Sequence, residues 1–243
     1  MEVYGTTREQ LAKVVVKNRR HGSLNPYAMY RSETTIEEVL SAPMVSDPLT
    51  RFMLCAPNEG AAAMVLCSEK KAKKFTTKPV YVAAAAIGTM VEGSILGVAV
   101  LPQIHGVPCV EKPLEVSTMV AKKAYEEAGI GPRDLDAVEV QDTDAAGEIV
   151  DTEHLGICEL GKGSVLIEEE VTALGSSKRP IVNPSGGLIS KGEPVGASGL
   201  GQVVELTYQL RGQAGARQIE NAKVGLGHTL GMGGNCAVII VKR

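Results

Sequence analysis

The chain has 243 residues, 44% of them hydrophobic and 22% charged, enough to bury a sizeable core in one large or two modest domains. A formal net charge of -3, only two phenylalanines and no tryptophan argue against a basic nucleic-acid surface and a base-stacking platform. Five scattered cysteines without a C-x-x-C pair argue against a disulfide framework or a metal site and fit reduced thiols in a cytoplasmic protein, and the longest apolar runs, Val80 to Ile87 and Ile95 to Leu101, are too short to span a membrane.

A capping box at Thr6-Thr7-Arg8-Glu9 opens a helix with Leu11, Val14 and Val15 on one face and a basic end from Lys17 to Arg20. His21 to Tyr27 reads as a loop, and a second box, Thr35-Ile36-Glu37-Glu38, starts a short helix ending near Pro43. Ala61 to Cys67, small and apolar between turn residues, reads as a buried strand. Ser68 then starts a lysine-rich helix whose charges form a solvated face.

The strand Val80 to Ile87 opens a second domain, dividing the chain into residues 1–77 and 78–243. Val116, Met119, Val120 and Ala124 mark a helix ending at Gly129; Asp136 to Val140 is a strand and Glu148 to Leu155 a helix. Val165 to Ile167 is a short apolar piece, and Arg179 to Asn183 is a strand. From Ser198 a helix carries Val203, Leu206 and Leu210 as far as Gly212. Two closing strands, Lys223 to Leu226 and Cys236 to Val241, flank a glycine-rich loop from Gly227 to Gly234. This order argues for an α/β layered domain with a mixed sheet.

Between the strand ending at Asn183 and the helix at Ser198 the chain carries six glycines, two prolines and one carboxylate, counted from Asn183 to Gln202. Such a stretch lets the backbone approach a ligand and then presents a helix N-terminus, so it reads as a site.

Asn183-Pro184-Ser185-Gly186-Gly187 followed by Gly192-Glu193-Pro194-Val195-Gly196-Ala197-Ser198-Gly199 resembles the thiolase motif that usually reads Gly-His-Pro. Gly227-His228-Thr229-Leu230-Gly231-Met232-Gly233-Gly234 is similar to the glycine-rich loop of the sterol-carrier-protein-type thiolases, and Tyr4 to Thr7, Val16 to His21 and Gly60 to Ala63 are also similar to that subgroup. The resemblance covers essentially the whole chain. It implies an α/β/α/β/α layered fold, here the end of the first domain plus the complete second, and a habit of dimerising. It implies acyltransferase chemistry on acyl-CoA thioesters, with coenzyme A as substrate and no tightly bound cofactor. Retro-aldol cleavage of a β-hydroxyacyl-CoA and a non-catalytic acyl-CoA or lipid-binding role are the alternatives.

The family's nucleophilic cysteine lies in a first half that this sequence does not match, so activity is expected only with a chain carrying that half, in a homo- or hetero-oligomer. Some relatives also pair with a small OB-fold zinc protein. The motif histidine is Glu193, and a subgroup His-Asp-Cys-Phe motif aligns with Gln141-Asp142-Thr143-Asp144, replacing its histidine and its acid/base cysteine. Glu193 is then either an acid or base whose pKa burial would raise, or a partner of Lys191. Gln141 can hold a water or a substrate carbonyl, and Asp142 and Asp144 read as structural. By resemblance, the catalytic candidates are Glu193, His228 in a pocket-lining loop, and Gln141; Ser198, Gly199, Gly233, Gly234 and Thr143 are candidates for holding substrate or coenzyme A. His21, His105 and His154 read as ordinary histidines, and none of the cysteines reads as the nucleophile.

Overall fold

The computed structural model describes residues 1–89, 116–231 and 234–243. Ile95 to Leu101, His105, Cys109 and Gly233 lie outside them. Helix α1 (Arg8–Ser23) starts at Thr7, one residue beyond the expected cap, with Gln10 closing the capping box; α2 (Ile36–Ser41) uses Thr35 and Glu38 as the sequence predicts. A small hairpin of β1 (Met44–Ser46) and β2 (Leu49–Thr50) follows, and then the exposed helix α3 (Glu69–Phe75).

The principal sheet contains β3 (Tyr81–Thr89), β4 (Ala137–Glu139), β5 (Ile181–Val182), β6 (Val224–Gly231) and β7 (Asn235–Lys242), in the order β3-β7-β6-β4-β5. β7 runs antiparallel to both of its neighbours, β3 and β6, whereas β4 runs parallel to both β6 and β5, so the sheet is mixed as expected. The remaining helices are α4 (Val116–Ala128), α5 (Ala145–His154), α6 (Gly163–Glu168), α7 (Gly187–Lys191) and α8 (Ser198–Arg211).

Side-chain alternation along the strands builds two cores. Val138, Val182, Leu226 and Ile240 face α4, meeting Val120 and Ala124. Ala137, Ile181 and Val241 face α8, meeting Val203, Leu206 and Leu210. A third core joins Leu11, Val14 and Val15 of α1 to Ile149 of α5 and Ile189 of α7, which fixes α1 beside the glycine-rich stretch. Among the described residues no helix is long and apolar enough to cross a membrane.

Two expectations are corrected. Residues 227–231 are not a loop but the second half of β6. Gly225 and Gly227 of this strand serve packing rather than turning: a Cβ on Gly225 would stand 2.9 Å from Leu206 Cδ2 and one on Gly227 3.1 Å from Ile239 Cγ2, so small residues let α8 and β7 lie against the strand. Val165 to Ile167 belongs to helix α6. Ala61 to Cys67 is not a buried strand: it has no strand partner among the described residues, and Val65 and Leu66 are 94% and 70% exposed. Its apolar, β-compatible composition is that of a covered strand, but an extended segment becomes a strand only when another edge accepts its backbone groups.

Candidate active site

Asp142 anchors the glycine-rich stretch. It is fully buried just beyond β4, and its carboxylate accepts the backbone N–H groups of Leu188 at 2.6 Å and Ile189 at 3.4 Å, together with Asn18 Nδ2 at 2.9 Å. The first residue of α7 must be glycine: Gly187 has φ +62°, and a Cβ there would stand 2.1 Å from Asp142 Oδ2. Burial, and then the neighbouring charge of Glu148, push the Asp142 carboxyl well above the usual carboxylate range. Glu148, also fully buried, accepts from Asn18 Nδ2 and Asn183 Nδ2, each at 2.8 Å, and lies 2.6 Å from Lys17 Nζ. Asp144 caps α5 by accepting from Gly147 N–H at 2.9 Å. Both aspartates hold backbone in place, in keeping with the structural reading.

This frame delivers Gln141 and Glu193 to one corner. Gln141 Nε2 donates to Glu193 Oε1 at 2.5 Å, which joins two candidate residues 52 positions apart. A carboxylate only accepts, so the amide must turn its NH2 toward Glu193. Gln141 Oε1 is then a buried acceptor with no partner among the described residues. A ligand meeting it must donate a hydrogen bond, which replaces the expected substrate carbonyl by a hydroxyl, an N–H or a water.

The other oxygen of Glu193 holds a residue that sequence reasoning set aside. Cys55 Sγ donates to Glu193 Oε2 at 2.9 Å. The segment around Cys55 is stitched to both site loops: Cys55 N–H bonds to Thr143 O at 2.9 Å, Leu54 pairs with Asp144, and Glu193 N–H bonds to Ala56 O at 3.0 Å. Burial, followed by the hydrogen bond and charge of Glu193 and by Asp142 and Asp144, pushes the Cys55 thiol far up, so it stays protonated. Its only sequence signal is a cysteine just ahead of Pro57-Asn58-Glu59-Gly60, a turn-forming run with no helical or strand period to link it to Glu193.

Glu193 does not pair with Lys191. Lys191 Nζ lies 3.3 Å from Glu139 Oε2 and 3.3 Å from Ser185 Oγ. Nor is Glu193 sealed in the core; like Cys55 it is partly exposed. Beside this corner runs a groove of about 380 Å³, lined among others by Asn58, Ser185, Lys191, Pro194, Ser198 and Tyr208. Ser198 is buried and bonds to Pro194 O at 3.0 Å, so its hydroxyl closes the first turn of α8. Thr143 is exposed, and its carbonyl holds Cys55.

None of the remaining described candidates hydrogen-bonds to Glu193. Gly199 packs on β6, where a Cβ would stand 3.0 Å from Thr229 Oγ1, and Gly234 closes the β6–β7 turn at φ +81°. His228 lies within β6 rather than in a loop and is fully buried: Nε2 is 2.9 Å from Ser117 Oγ, and Nδ1 is 3.3 Å from Asp151 Oδ2. Burial pushes its pKa down, but the Asp151 carboxylate outweighs that and raises it to about 10. His21 is the opposite case. Its Nε2 accepts Leu174 N–H, so Nδ1 carries the proton and donates to Asn183 O at 2.9 Å; burial and Lys17 hold its pKa well below the ordinary value.

The His228 assignment predicts a pH dependence. A histidine titrating near 10 when folded and near 6.5 when unfolded stabilises the fold fully below pH 6.5, and the benefit disappears as pH rises through about 10. Within that window its contribution falls by up to ~1.4 kcal/mol per pH unit. Melting curves of wild type and His228→Asn should therefore differ most at pH 6 and converge by pH 10; a gap independent of pH would show that the imidazole is not charged.

The family model described as thiolase C-terminal domain-like matches residues 112–243. Sterol carrier protein 2 of Bos taurus is 38% identical over 244 residues, which cover 100% of this chain and 43% of that protein. An acetyl-CoA acetyltransferase of Methanothermobacter thermautotrophicus is 40% identical over 100% of this chain and 60% of its own, and benzoylsuccinyl-CoA thiolase subunit BbsB of Thauera aromatica is 36% identical over 94% and 56%. The chain thus spans about half the length of the curated relatives it matches. Among solved structures, the Ltp2-ChsH2(DUF35) aldolase superposes with a TM-score of 0.82 at 20% identity, covering 100% of this chain and 60% of that one, a likeness of fold alone.

Proposed function

The chain belongs to the thiolase superfamily, and from that premise we propose that it supplies one half of a site for making or breaking carbon–carbon bonds in acyl-CoA thioesters. The observation that carries this reading is the corner where Glu193 accepts from both Gln141 and Cys55 within the glycine-rich motif. A held carboxylate beside a groove can remove a proton from a substrate, and the groove offers Asn58 and Tyr208 to a polar acyl carrier such as coenzyme A.

In this reading a first thiolase half completes the site, carried either by a second chain or by a longer form of this one. Its support is the segment from Ala61 to Cys67, which has the composition of a buried strand and stands uncovered. The names of the BbsB subunit and of the two-component aldolase are in keeping with multi-chain assembly.

Within this chemistry, retro-aldol cleavage of a β-hydroxyacyl-CoA has specific support. Glu193 accepts where the family motif has histidine, and Gln141 Oε1 calls for a donor, the need a substrate hydroxyl meets. Thiolysis, by contrast, requires the nucleophile that the resemblance assigns to the first thiolase half. The chain co-expressed with a polypeptide carrying the first thiolase half should cleave a 3-hydroxyacyl-CoA without added coenzyme A. Coenzyme-A-dependent cleavage of a 3-ketoacyl-CoA instead would establish thiolysis. Acyl-CoA binding with neither cleavage would overturn the catalytic reading in favour of a binding subunit.

A further inference from the structure

We propose that Cys55 and Glu193 form a proton-transfer pair in which Glu193 takes the proton from the substrate hydroxyl and Cys55 returns one to the carbanion left by bond cleavage. The proposal rests on the carbon–carbon reading and assigns Cys55 a catalytic role.

Main chain rather than chance rotamers holds the two groups together. The segment carrying Cys55 bonds through its own N–H to Thr143 O at 2.9 Å and through Ala56 O to Glu193 N–H at 3.0 Å, so both backbones are fixed before their side chains meet at 2.9 Å. Gln141, only 8% exposed, holds the far oxygen of Glu193, and its amide oxygen has no partner among the described residues. A buried acceptor left open is costly unless a ligand fills it. The corner therefore contains a proton acceptor, a proton donor and an amide oxygen able to accept from a hydroxyl, within one set of hydrogen bonds.

The acidity of the thiol follows the state of its partner. The groups facing Cys55 are all acidic: Glu193 from the segment after α7, and Asp142 and Asp144 from the loop after β4. While Glu193 is a carboxylate, the thiol keeps its proton. Once Glu193 is protonated, its charge and its acceptance of the S–H bond are gone, and Cys55 becomes a stronger acid at the step that needs one.

The proton count closes. Glu193 takes the β-hydroxyl proton; the Cα–Cβ bond breaks, leaving its electron pair on the thioester as an enolate and forming a C=O on the departing fragment. Cys55 S–H then protonates the α-carbon, and the thiolate recovers the proton from Glu193 across the contact between them. One proton has moved from oxygen to carbon, no group is oxidised or reduced, and the pair is reset.

Two measurements test this. Iodoacetamide labelling of the chain, followed by peptide mass spectrometry, should modify Cys55 at least about tenfold more slowly than the exposed Cys67 at pH 8.5, and Glu193→Gln should accelerate Cys55 about tenfold without changing Cys67. Equal Cys55 rates in wild type and Glu193→Gln would overturn the pair. The chain assembled with its complementary half should also exchange the α-protons of acetyl-CoA in D2O, and Cys55→Ala should slow that exchange roughly 100-fold without weakening acetyl-CoA binding. Exchange undiminished in Cys55→Ala would overturn the donor role. No exchange by the intact assembly would overturn the carbon–carbon reading and the donor role with it, while the labelling result would still decide whether the two side chains are coupled.

Discussion

Glu148→Ala is expected to destabilise the protein by about 3–5 kcal/mol, the range for removing one partner of a buried ion pair. Glu148 is fully buried and simultaneously serves Lys17, Asn18 and Asn183. Without it, the Lys17 ammonium, itself 7% exposed, keeps only Val182 O at 3.0 Å among the described residues, and two amide groups lose an acceptor in the core. At about 2–4 °C per kcal/mol for a chain of this size, the melting temperature should fall by roughly 10 °C. Glu148→Gln keeps an acceptor for one asparagine but still strands Lys17, so it should lie near the alanine variant rather than near wild type. In Lys17→Met/Glu148→Gln the ion pair is gone from both sides, and the double variant should be less destabilised than the sum of the single ones. Additive losses in calorimetry would show that the asparagine contacts, rather than the buried charge, dominate.

The same network explains why function and stability meet here. Asn18, which bridges Glu148 and Asp142, comes from α1, and Asp142 in turn holds the first turn of α7. Five residues further on stands Glu193. Two hydrogen bonds thus tie α1 to the turn of chain that leads to the carboxylate.

How far this was legible depends on the kind of signal each part leaves. Capped amphipathic helices and alternating strands have a period, so α1, α4, α8 and the strands of a mixed sheet were readable from local pattern. The glycine-rich motif was readable by resemblance, and it led to Glu193 and Gln141, which do meet. Cys55 was not readable, because its partnership with Glu193 spans 138 positions and is made by irregular chain threaded between two loops. The opposite error concerned glycine: in β6 it marks close helix packing, a use that composition cannot distinguish from a turn. Lys17, read as part of a basic helix end, proved to be buried because its partner lies 131 residues away on α5.

Glu193→Gln should reduce turnover of the assembled enzyme roughly 10²–10³-fold, the usual cost of losing a general acid or base, with KM little changed. The substitution keeps the shape of the side chain. Its amide can accept at one end and donate at the other, and Gln141 can turn over to receive that donor, so the corner stays connected. Because Glu193 is partly exposed, stability should change by less than about 1 kcal/mol, which separates a chemical loss from misfolding. What the amide cannot do is take a proton from a hydroxyl or hand one to Cys55. Kinetics unchanged in Glu193→Gln would sink the base assignment. If the thiol and carboxylate act as one unit, Cys55→Ala/Glu193→Gln should be hardly slower than Glu193→Gln alone, whereas two independent groups would multiply their losses.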